Sequence, residues 1–358
     1  MARDYHTDPE KKPYRFVPLA DHIERSEVVG HHKMAEGRWY GYLNLILVAE
    51  SSVHVASGLI VHRDDLRPYI GVDIDPHGDD RLILSHVRRD GRRYIPGTSL
   101  KGVVRSVVEA VTHSCLQQID EKKIDRSARR QDRRLSVLLE GCSDETGLCP
   151  ACGLFGTLGY TGRVNFRDFL QVSGDGRIVH RPIAHPPQPD RSQSNKRQTQ
   201  GIIYYTSDEK RRLKGRKFYL HGKQPVDATG KYEAVEVCKR GSCFEGRMDV
   251  NGLTDAELGL LLWGLGFPDR FRLKVGGSKP FGYGSVALKT VQVCLVENPL
   301  AAYLDYDDVP ARLEETVQLD ILARSLKAVE SSMILREDAW KRLLALMKMD
   351  LVSLDGRY

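Results

Sequence analysis

Three cysteines lie close together in the chain, at a spacing typical of metal ligands. Cys149 and Cys152 form a CxxC pair, whose backbone turn directs two sulfurs at one ion, and Cys142 lies seven residues upstream. The fourth ligand would be Cys115 or His113, near the end of a predicted helix, and we favour Cys115. Four protein ligands leave no open position, so we expect a structural zinc. A redox-active CxxC and buried free thiols are the alternatives.

A second segment, residues 94–105, has the composition of an anion-binding turn. It reads YIPGTSLKGVVR, in which the Pro-Gly pair ends a strand and Thr98 or Ser99 can cap the helix that follows. The first N–H groups of a helix attract phosphate, and basic side chains nearby strengthen the attraction. The alternative is an ordinary capped helix start. The candidate phosphate ligands are Gly97, Ser99, Lys101 and Arg105.

A glycine-rich loop, residues 276–284, reads GGSKPFGYG and offers a second phosphate contact. Its backbone N–H groups and Lys279 could contact phosphate or ribose, while Phe281 or Tyr283 could stack on a base. The alternative is a flexible hairpin between a helix and a strand. The candidate RNA ligands here are Gly276, Gly277, Lys279, Phe281, Gly282 and Tyr283.

The composition places these segments in an ordinary globular protein. The chain has 358 residues, enough for two domains or for one domain with large insertions. No apolar run is long enough to span a membrane, and the first residues lack a signal core, so we expect a cytoplasmic protein with no membrane partner. Seven cysteines, an odd number, favour metal binding in a reducing compartment over a disulfide framework.

Charge is distributed unevenly along the chain, although the net charge is only +6. Residues 181–240 contain 14 Lys and Arg against 6 Asp and Glu, whereas residues 300–358 contain 8 against 11. The basic middle suggests a face for an anionic polymer, and the acidic tail suggests a face for a protein neighbour. The alternative is a solvated basic loop and an ordinary surface helix.

The elements that must position these segments predict an α+β fold. Strands are expected at 39–56, 82–84, 93–95, 163–169, 215–221, 243–250 and 285–295, and residues 57–81 are expected to form a long loop. Helices are expected at 99–113, from Thr254 to 265, at 315–330 and at 337–349, the second with a Thr254–Glu257 capping box. The order is close to βαββαβ, a ferredoxin-like arrangement of the kind found in RNA-recognition modules.

Insertions divide this arrangement into segments. We assign 1–38 to an N-terminal arm, 39–113 to the first half of a ferredoxin-like palm and 114–162 to a zinc-bearing insertion. Residues 163–175 form a palm strand and 176–235 a basic, thumb-like insertion. Residues 236–295 form the second half of the palm with the glycine-rich loop, and 296–358 form C-terminal helices.

Together, the IPGTSLKG turn, the CPACGLFG corner followed by GRVNFRD, and the GGSKPFGYG loop resemble the CRISPR-associated RAMP superfamily. More narrowly, they are similar to the backbone subunits of type III effector complexes. The resemblance covers roughly residues 40–290. It implies a palm that holds a guide RNA (crRNA) and its paired target RNA, and that assembles with other effector subunits, including copies of itself.

The resemblance also implies that some members cut target RNA with an aspartate in the loop before the Pro-Gly turn, aided by a divalent ion such as magnesium or manganese. The candidates here are Asp73, Asp75, Asp79 and Asp80. The apolar residues 82–84 occupy the place just before the second strand where the catalytic aspartate is expected, and a solvated acidic loop is the alternative.

The resemblance and these patterns together imply three candidate functions. The first is a guide-RNA-binding backbone subunit of a type III CRISPR ribonucleoprotein in antiviral defence. The second is the same subunit acting as a metal-dependent endoribonuclease. The third is a metal-independent nuclease that processes precursor guide RNA with His54 or His86 as acid–base groups.

Overall fold

A computed structural model of the protein describes residues 13–69, 81–116, 132–182, 213–222, 232–297, 299 and 314–348. The strands in this part of the chain are β1 (Tyr14–Val17), β2 (Trp39–Ala49), β3 (Ala56–His62), β4 (Leu82–His86), β5 (Arg88–Arg89), β6 (Arg92–Ile95), β7 (Gly156–Thr157), β8 (Tyr160–Thr161), β9 (Val164–Phe166), β10 (Phe169–Ser173), β11 (Gly176–Pro182), β12 (Arg216–Tyr219), β13 (Tyr232–Cys238), β14 (Cys243–Leu253), β15 (Leu273–Lys274) and β16 (Ser285–Val296). The α-helices are α1 (Arg63–Leu66), α2 (Gly97–Val111), α3 (Arg134–Leu138), α4 (Pro150–Phe155), α5 (Asp255–Gly264), α6 (Glu315–Ser331) and α7 (Glu337–Met347).

The largest sheet has eight strands in the order β15-β16-β2-β14-β10-β6-β5, with β9 also paired to β14. Its pairings are antiparallel. Leu43, Leu45 and Leu47 of β2 alternate with more exposed residues and are fully buried, because alternate side chains of a strand point to one face. They share one hydrophobic core with helices α2, α5, α6 and α7. This mixed α and β architecture fits a ferredoxin-like fold.

Helix α2 begins two residues earlier than predicted and is not capped by Thr98 or Ser99. Pro96 takes the cap position, and the N–H of Gly97 donates to Asp168 Oδ1 at 3.0 Å. A Cβ on Gly97 would overlap the carbonyl oxygen of Phe166, so glycine allows the helix to start against the neighbouring strand. A carboxylate at a helix N-terminus is favourable because the first N–H groups carry partial positive charge.

The capping box predicted at the start of α5 is confirmed. Thr254 Oγ1 accepts from the N–H of Glu257, and the Glu257 carboxylate accepts from the N–H of Thr254. The two tail helices are also confirmed, with α7 ending two residues before the predicted end. Trp263 of α5 stacks on Trp340 of α7 with ring centroids 4.7 Å apart, so the tail packs on the core.

A second sheet of four strands, in the order β11-β13-β4-β3, corrects the loop prediction for residues 57–81. Within 57–81, predicted as a loop, strand β3 and the short helix α1 form first, and residues 70–80 lie outside the described part. Strand β11 of the 176–235 insertion pairs along seven residues with β13, which begins in the insertion and ends at Cys238 beyond it, whereas 183–212 and 223–231 lie outside the described part.

The described part of the N-terminal arm is built into the fold. Strand β1 pairs antiparallel with β12, and Tyr14 and Val17 are buried. Ser26 forms a bridge with Leu148, so the arm also contacts the cysteine-bearing insertion. Among the residues that the structure describes, no helix is both long and apolar enough to cross a membrane.

Candidate nucleic-acid interface and metal centre

The two segments predicted to bind phosphate face one groove. One wall is the face of α2 that carries Ser99, Gly102 and Ser106, at helical spacing, and the other includes Gly276 and Gly277 of the glycine-rich loop. The groove has a volume of about 540 Å³. Strand β12 and the end of α7 complete the lining. Motifs about 180 residues apart in the chain therefore form one concave surface.

Three lysines line this groove: Lys217, Lys274 and Lys279. None of them forms an ion pair with a carboxylate in the described part of the chain. Burial and then the nearby charge of Lys279 lower the pKa of Lys274 to about 7. Burial and then Lys217 lower the pKa of Lys279. The lysines repel one another, so a bound anion would relieve an existing electrostatic cost.

The side chains of two of these lysines are held in place. Lys274 is buried on β15, and its Nζ donates to the carbonyl of Tyr283 at 2.9 Å. Lys217 Nζ lies 4.5 Å from the ring centroid of Tyr14 and 4.7 Å from that of Tyr219. Such cation–π contacts orient an ammonium without neutralising it. Sequence reasoning missed Lys274, because a lone lysine in a two-residue strand gives no local signal.

The backbone of the glycine-rich loop is used differently from the prediction. Gly276 has φ +79°, and a Cβ there would overlap the carbonyl oxygen of His54. The N–H of Gly277 donates to the same oxygen at 2.8 Å, and the N–H of Gly282 donates to Lys279 O at 3.2 Å. These two amides are bonded within the protein, so neither N–H is free to contact phosphate in the groove.

Phe281 and Tyr283 do not fit the predicted role in base stacking. Both are buried in a small apolar cluster with Val179 of β11 and Val235 of β13. The four-stranded sheet, which was not predicted, covers both rings, so this structure does not favour base stacking by either residue.

Of the four ligands predicted at the start of α2, one lines the groove and three do not. Ser99 lines the groove, whereas the N–H of Gly97 is bonded to Asp168. Lys101 is half-buried outside the groove lining, and burial followed by Arg105 lowers its pKa. Arg105 faces the cysteine cluster and contacts Glu109, Gly156 and a cysteine sulfur.

The four predicted cysteines converge in the buried core. The Sγ atoms of Cys115, Cys142, Cys149 and Cys152 all lie within 4.8 Å of one another. Cys115 Sγ is 3.5 Å from that of Cys152 and 3.7 Å from that of Cys149. Tetrahedral zinc, with Zn–S bonds of about 2.3 Å, places its sulfurs about 3.8 Å apart. The donor set and its spacing therefore fit zinc, and the cluster could bind it.

The surroundings of the sulfurs favour thiolates at two positions. The N–H of Cys149 donates to Cys142 Sγ at 3.4 Å, and the N–H of Cys152 donates to Cys149 Sγ at 3.5 Å. Hydrogen bonds from Cys115 lower the pKa of both Cys142 and Cys149. A thiolate is the form that binds a metal.

His113, the rival for the fourth position, belongs to a different group. Its ring stacks on that of His22 with centroids 4.1 Å apart, and its Nε2 lies 3.9 Å from Glu24 Oε1. His22, Glu24 and His113 form a cluster that is separate from the four cysteines. Cys115 is the fourth member of the sulfur cluster.

Of the candidates for RNA cleavage, Asp73, Asp75, Asp79 and Asp80 lie outside the described residues. His54 and His86 are buried and adjacent, with ring centroids 6.1 Å apart. Burial lowers the pKa of His54 and lowers that of His86 to about 3. Buried, neutral imidazoles lack the access to substrate that acid–base catalysis requires, so the structure does not favour the metal-independent nuclease.

The comparisons with known proteins place the chain in a family. A sequence model of the RAMP superfamily matches residues 47–287, which is more than half of the chain. The matched range contains the α2 turn, all four cysteines of the cluster and the glycine-rich loop. No curated protein matches the chain.

Proposed function

Because the chain belongs to the RAMP superfamily of CRISPR-associated proteins, we propose that its lysine-lined groove binds guide RNA in a type III effector complex. The observation that carries the proposal is the convergence of Lys217, Lys274 and Lys279 on one groove without a carboxylate partner in the described part of the chain. Phosphate contacts of this kind position RNA but do not read its sequence.

The groove suits a single strand better than a duplex. Its two walls lie close enough to form one concavity, and Ser99, Ser106 and the three lysines supply donors along it. Apolar residues such as Val103 and Phe218 line the same space, and unpaired bases offer apolar faces to such a surface. The base-pairing edges would then remain available to a target RNA.

The remaining segments take supporting roles in this proposal. The strands β16, β2, β14 and β10, with α2 and α5, form the palm in a βαββαβ order. The 176–235 insertion acts as the thumb beside the guide–target duplex, and the acidic 296–358 segment docks a neighbouring subunit. The subunit is a backbone unit that contacts copies of itself.

We propose that the cysteine cluster holds one structural zinc. Cys115, Cys142, Cys149 and Cys152 would supply all four ligands, and zinc would stabilise the 114–162 insertion against the end of α2. With four thiolates the ion has no open position for water, so its role would be structural rather than catalytic.

A second candidate function, cleavage of target RNA, is favoured by contacts on either side of residues 70–80, which contain Asp73, Asp75, Asp79 and Asp80. Tyr69, just before them, accepts at its carbonyl from Arg93 Nη1 at 2.9 Å. Arg81, just after them, accepts at its carbonyl from the N–H of Arg63 at 2.9 Å. Tyr69 is thus tied to β6 and Arg81 to the start of α1, and an aspartate between them could bind magnesium or manganese.

The test of the guide-RNA proposal is co-purification with the products of neighbouring genes, followed by sequencing of the bound RNA. We expect short RNAs that share one repeat-derived end. The absence of RNA, or heterogeneous RNA lost at moderate salt, would contradict it, because non-specific phosphate binding is lost in this way.

A further inference from the structure

The Arg105 side chain contacts the helix that carries Cys152 at two points. Its Nη2 lies 3.6 Å from Cys152 Sγ, and its Nη1 donates to the carbonyl of Gly156 at 2.8 Å. Gly156 is the C-cap residue that follows α4, and Cys152 lies within α4. One guanidinium therefore fixes both a metal-ligand sulfur and the end of the short helix that presents it.

The same guanidinium is held by a buried carboxylate. Arg105 Nε donates to Glu109 Oε1 at 2.7 Å, one helical turn along α2. The other oxygen of Glu109 lies 2.6 Å from Arg216 Nη2. Glu109 is only 6% exposed, so it bridges two arginines inside the protein. The contacts run without a break from Cys152 through Arg105 and Glu109 to Arg216.

The charges of this chain of contacts complement a metal-loaded cluster. Two guanidinium groups and one carboxylate leave a single positive charge in the buried region. A zinc ion with four thiolates carries two negative charges, which oppose this buried positive charge.

Arg216 connects this region to the groove. It is the first residue of β12, and the next residue, Lys217, lines the groove. A smaller cavity of about 200 Å³ lies beside the groove and is lined by Arg216, Lys217 and Ser106. A change in the position of Arg216 would therefore move the strand that carries a phosphate-binding lysine.

We propose that Arg105 and Glu109 couple the metal state of the cysteine cluster to the lysine groove, so that zinc binding holds strand β12 and Lys217 in the RNA-binding position. Arg105 is thus a positioning residue of the metal centre rather than an RNA ligand. The inference rests on the proposed zinc site and on the proposed groove.

The first part of the test measures zinc release. Zinc content is determined first, and release to a chromogenic chelator is then followed for the full chain and for Arg105→Gln and Glu109→Gln. Outer-shell partners of metal ligands typically contribute about ten- to a hundredfold to metal affinity, and we expect release to accelerate by that order in Arg105→Gln. Unchanged release in this variant would overturn the inference.

Glu236 provides a matched control. It is a fully buried carboxylate that accepts from Arg88 and from Arg93, but it has no contact with the cysteine cluster. Glu236→Gln removes a comparable buried ion pair, so it reports general destabilisation. If zinc release accelerates as much in Glu236→Gln as in Glu109→Gln, the inference would also be overturned.

The second part measures binding of a fluorescein-labelled single-stranded RNA before and after zinc removal. In the unaltered chain we expect zinc removal to weaken binding. In Glu109→Gln we expect weaker binding with zinc present and a smaller further loss on its removal. Equal losses in the two proteins, or no loss in the unaltered chain, would contradict the coupling. A chain that binds no zinc, or no RNA at all, would instead contradict the proposed function itself.

Discussion

Lys274 Nζ donates to the carbonyl oxygen of Tyr283 at 2.9 Å, from a buried position at the floor of the groove. The contact ties β15 to the end of the glycine-rich loop. A carbonyl accepts the hydrogen bond but does not neutralise the ammonium, so the charge of Lys274 remains available to an anion in the groove.

This geometry predicts that RNA binding depends on pH. The pKa of Lys274 is lowered to about 7, so the side chain is charged below that pH and increasingly neutral above it. Lys279 places a positive charge near it, Lys217 lines the same groove, and His221 nearby has a pKa lowered to about 3 and stays neutral. We expect affinity for single-stranded RNA to fall severalfold from about pH 6 to about pH 8, measured by fluorescence anisotropy.

The control for the pH prediction is Lys274→Met, which keeps the buried volume but has no charge. Its RNA affinity should be lower at the acidic end and nearly constant between the two pH values. In the unaltered chain, the free energy of unfolding should also increase as the pH rises from about 7 towards the unfolded-state pKa of lysine. The reason is that the pKa of Lys274 in the folded state lies below its unfolded value. An equal pH dependence of RNA binding in both proteins would show that another group titrates.

A second prediction concerns the fourth zinc ligand. Cys115→Ser should reduce zinc content to well below one ion per chain and lower the thermal midpoint, because three sulfurs hold the insertion less tightly. His113→Ala should retain zinc, since His113 contacts His22 and Glu24 instead. Elemental analysis and thermal unfolding of the purified chains measure both effects.

Cys243→Ser is the matched control for the cysteine experiment. Cys243 is half-buried on β14 and lies outside the sulfur cluster. It should leave the zinc content unchanged. Full zinc retention in Cys115→Ser, or its loss in His113→Ala, would reject the assignment of four cysteine ligands.

A third prediction contrasts two glycines of the same helix. Gly97→Ala should destabilise the protein by more than about 1 kcal/mol, because its Cβ would overlap the carbonyl of Phe166. Gly102→Ala should instead stabilise it by about 0.5–1 kcal/mol, because a Cβ there meets no atom within 4 Å and alanine favours helix. Chemical denaturation of the two variants measures the difference, and equal stabilities would contradict the described helix start.

A fourth prediction concerns the four aspartates within residues 70–80. In the assembled complex with a labelled target RNA, at least one of Asp73→Ala, Asp75→Ala, Asp79→Ala and Asp80→Ala should slow cleavage by a hundredfold or more (about 3 kcal/mol) while guide-RNA content stays unchanged. Asp90→Ala, at the exposed β5–β6 turn, is a suitable control. Undiminished cleavage in all four variants would remove the second candidate function.

The features that were predicted correctly from the sequence depend on neighbours along the chain. The Thr254–Glu257 capping box needs only residues three positions apart, and the tail helices follow from local periodicity. The CxxC pair is equally local. These features could be read without knowing the tertiary structure.

The features that were missed depend on distant partners. The N–H of Gly97 bonds to Asp168, 71 positions away, so the expected side-chain cap was not needed. Phe281 is covered by strands β11 and β13, and neither is among the strands predicted from the sequence. The charge of Arg105 suggests a phosphate ligand, whereas in the structure Arg105 bonds to Glu109, whose burial has no local signal in the sequence.

The measurement that tests the central claim most directly is the salt dependence of RNA binding for groove variants. For single-stranded RNA, the slope of log Kobs against log salt concentration is about −0.7 for each phosphate neutralised. Lys217→Gln with Lys279→Gln should therefore reduce the magnitude of the slope by about 1.4, whereas Lys289→Gln, an exposed lysine on β16 outside the groove, should leave it unchanged. Equal slopes for the unaltered chain and the double variant would show that RNA is bound elsewhere and would contradict the account.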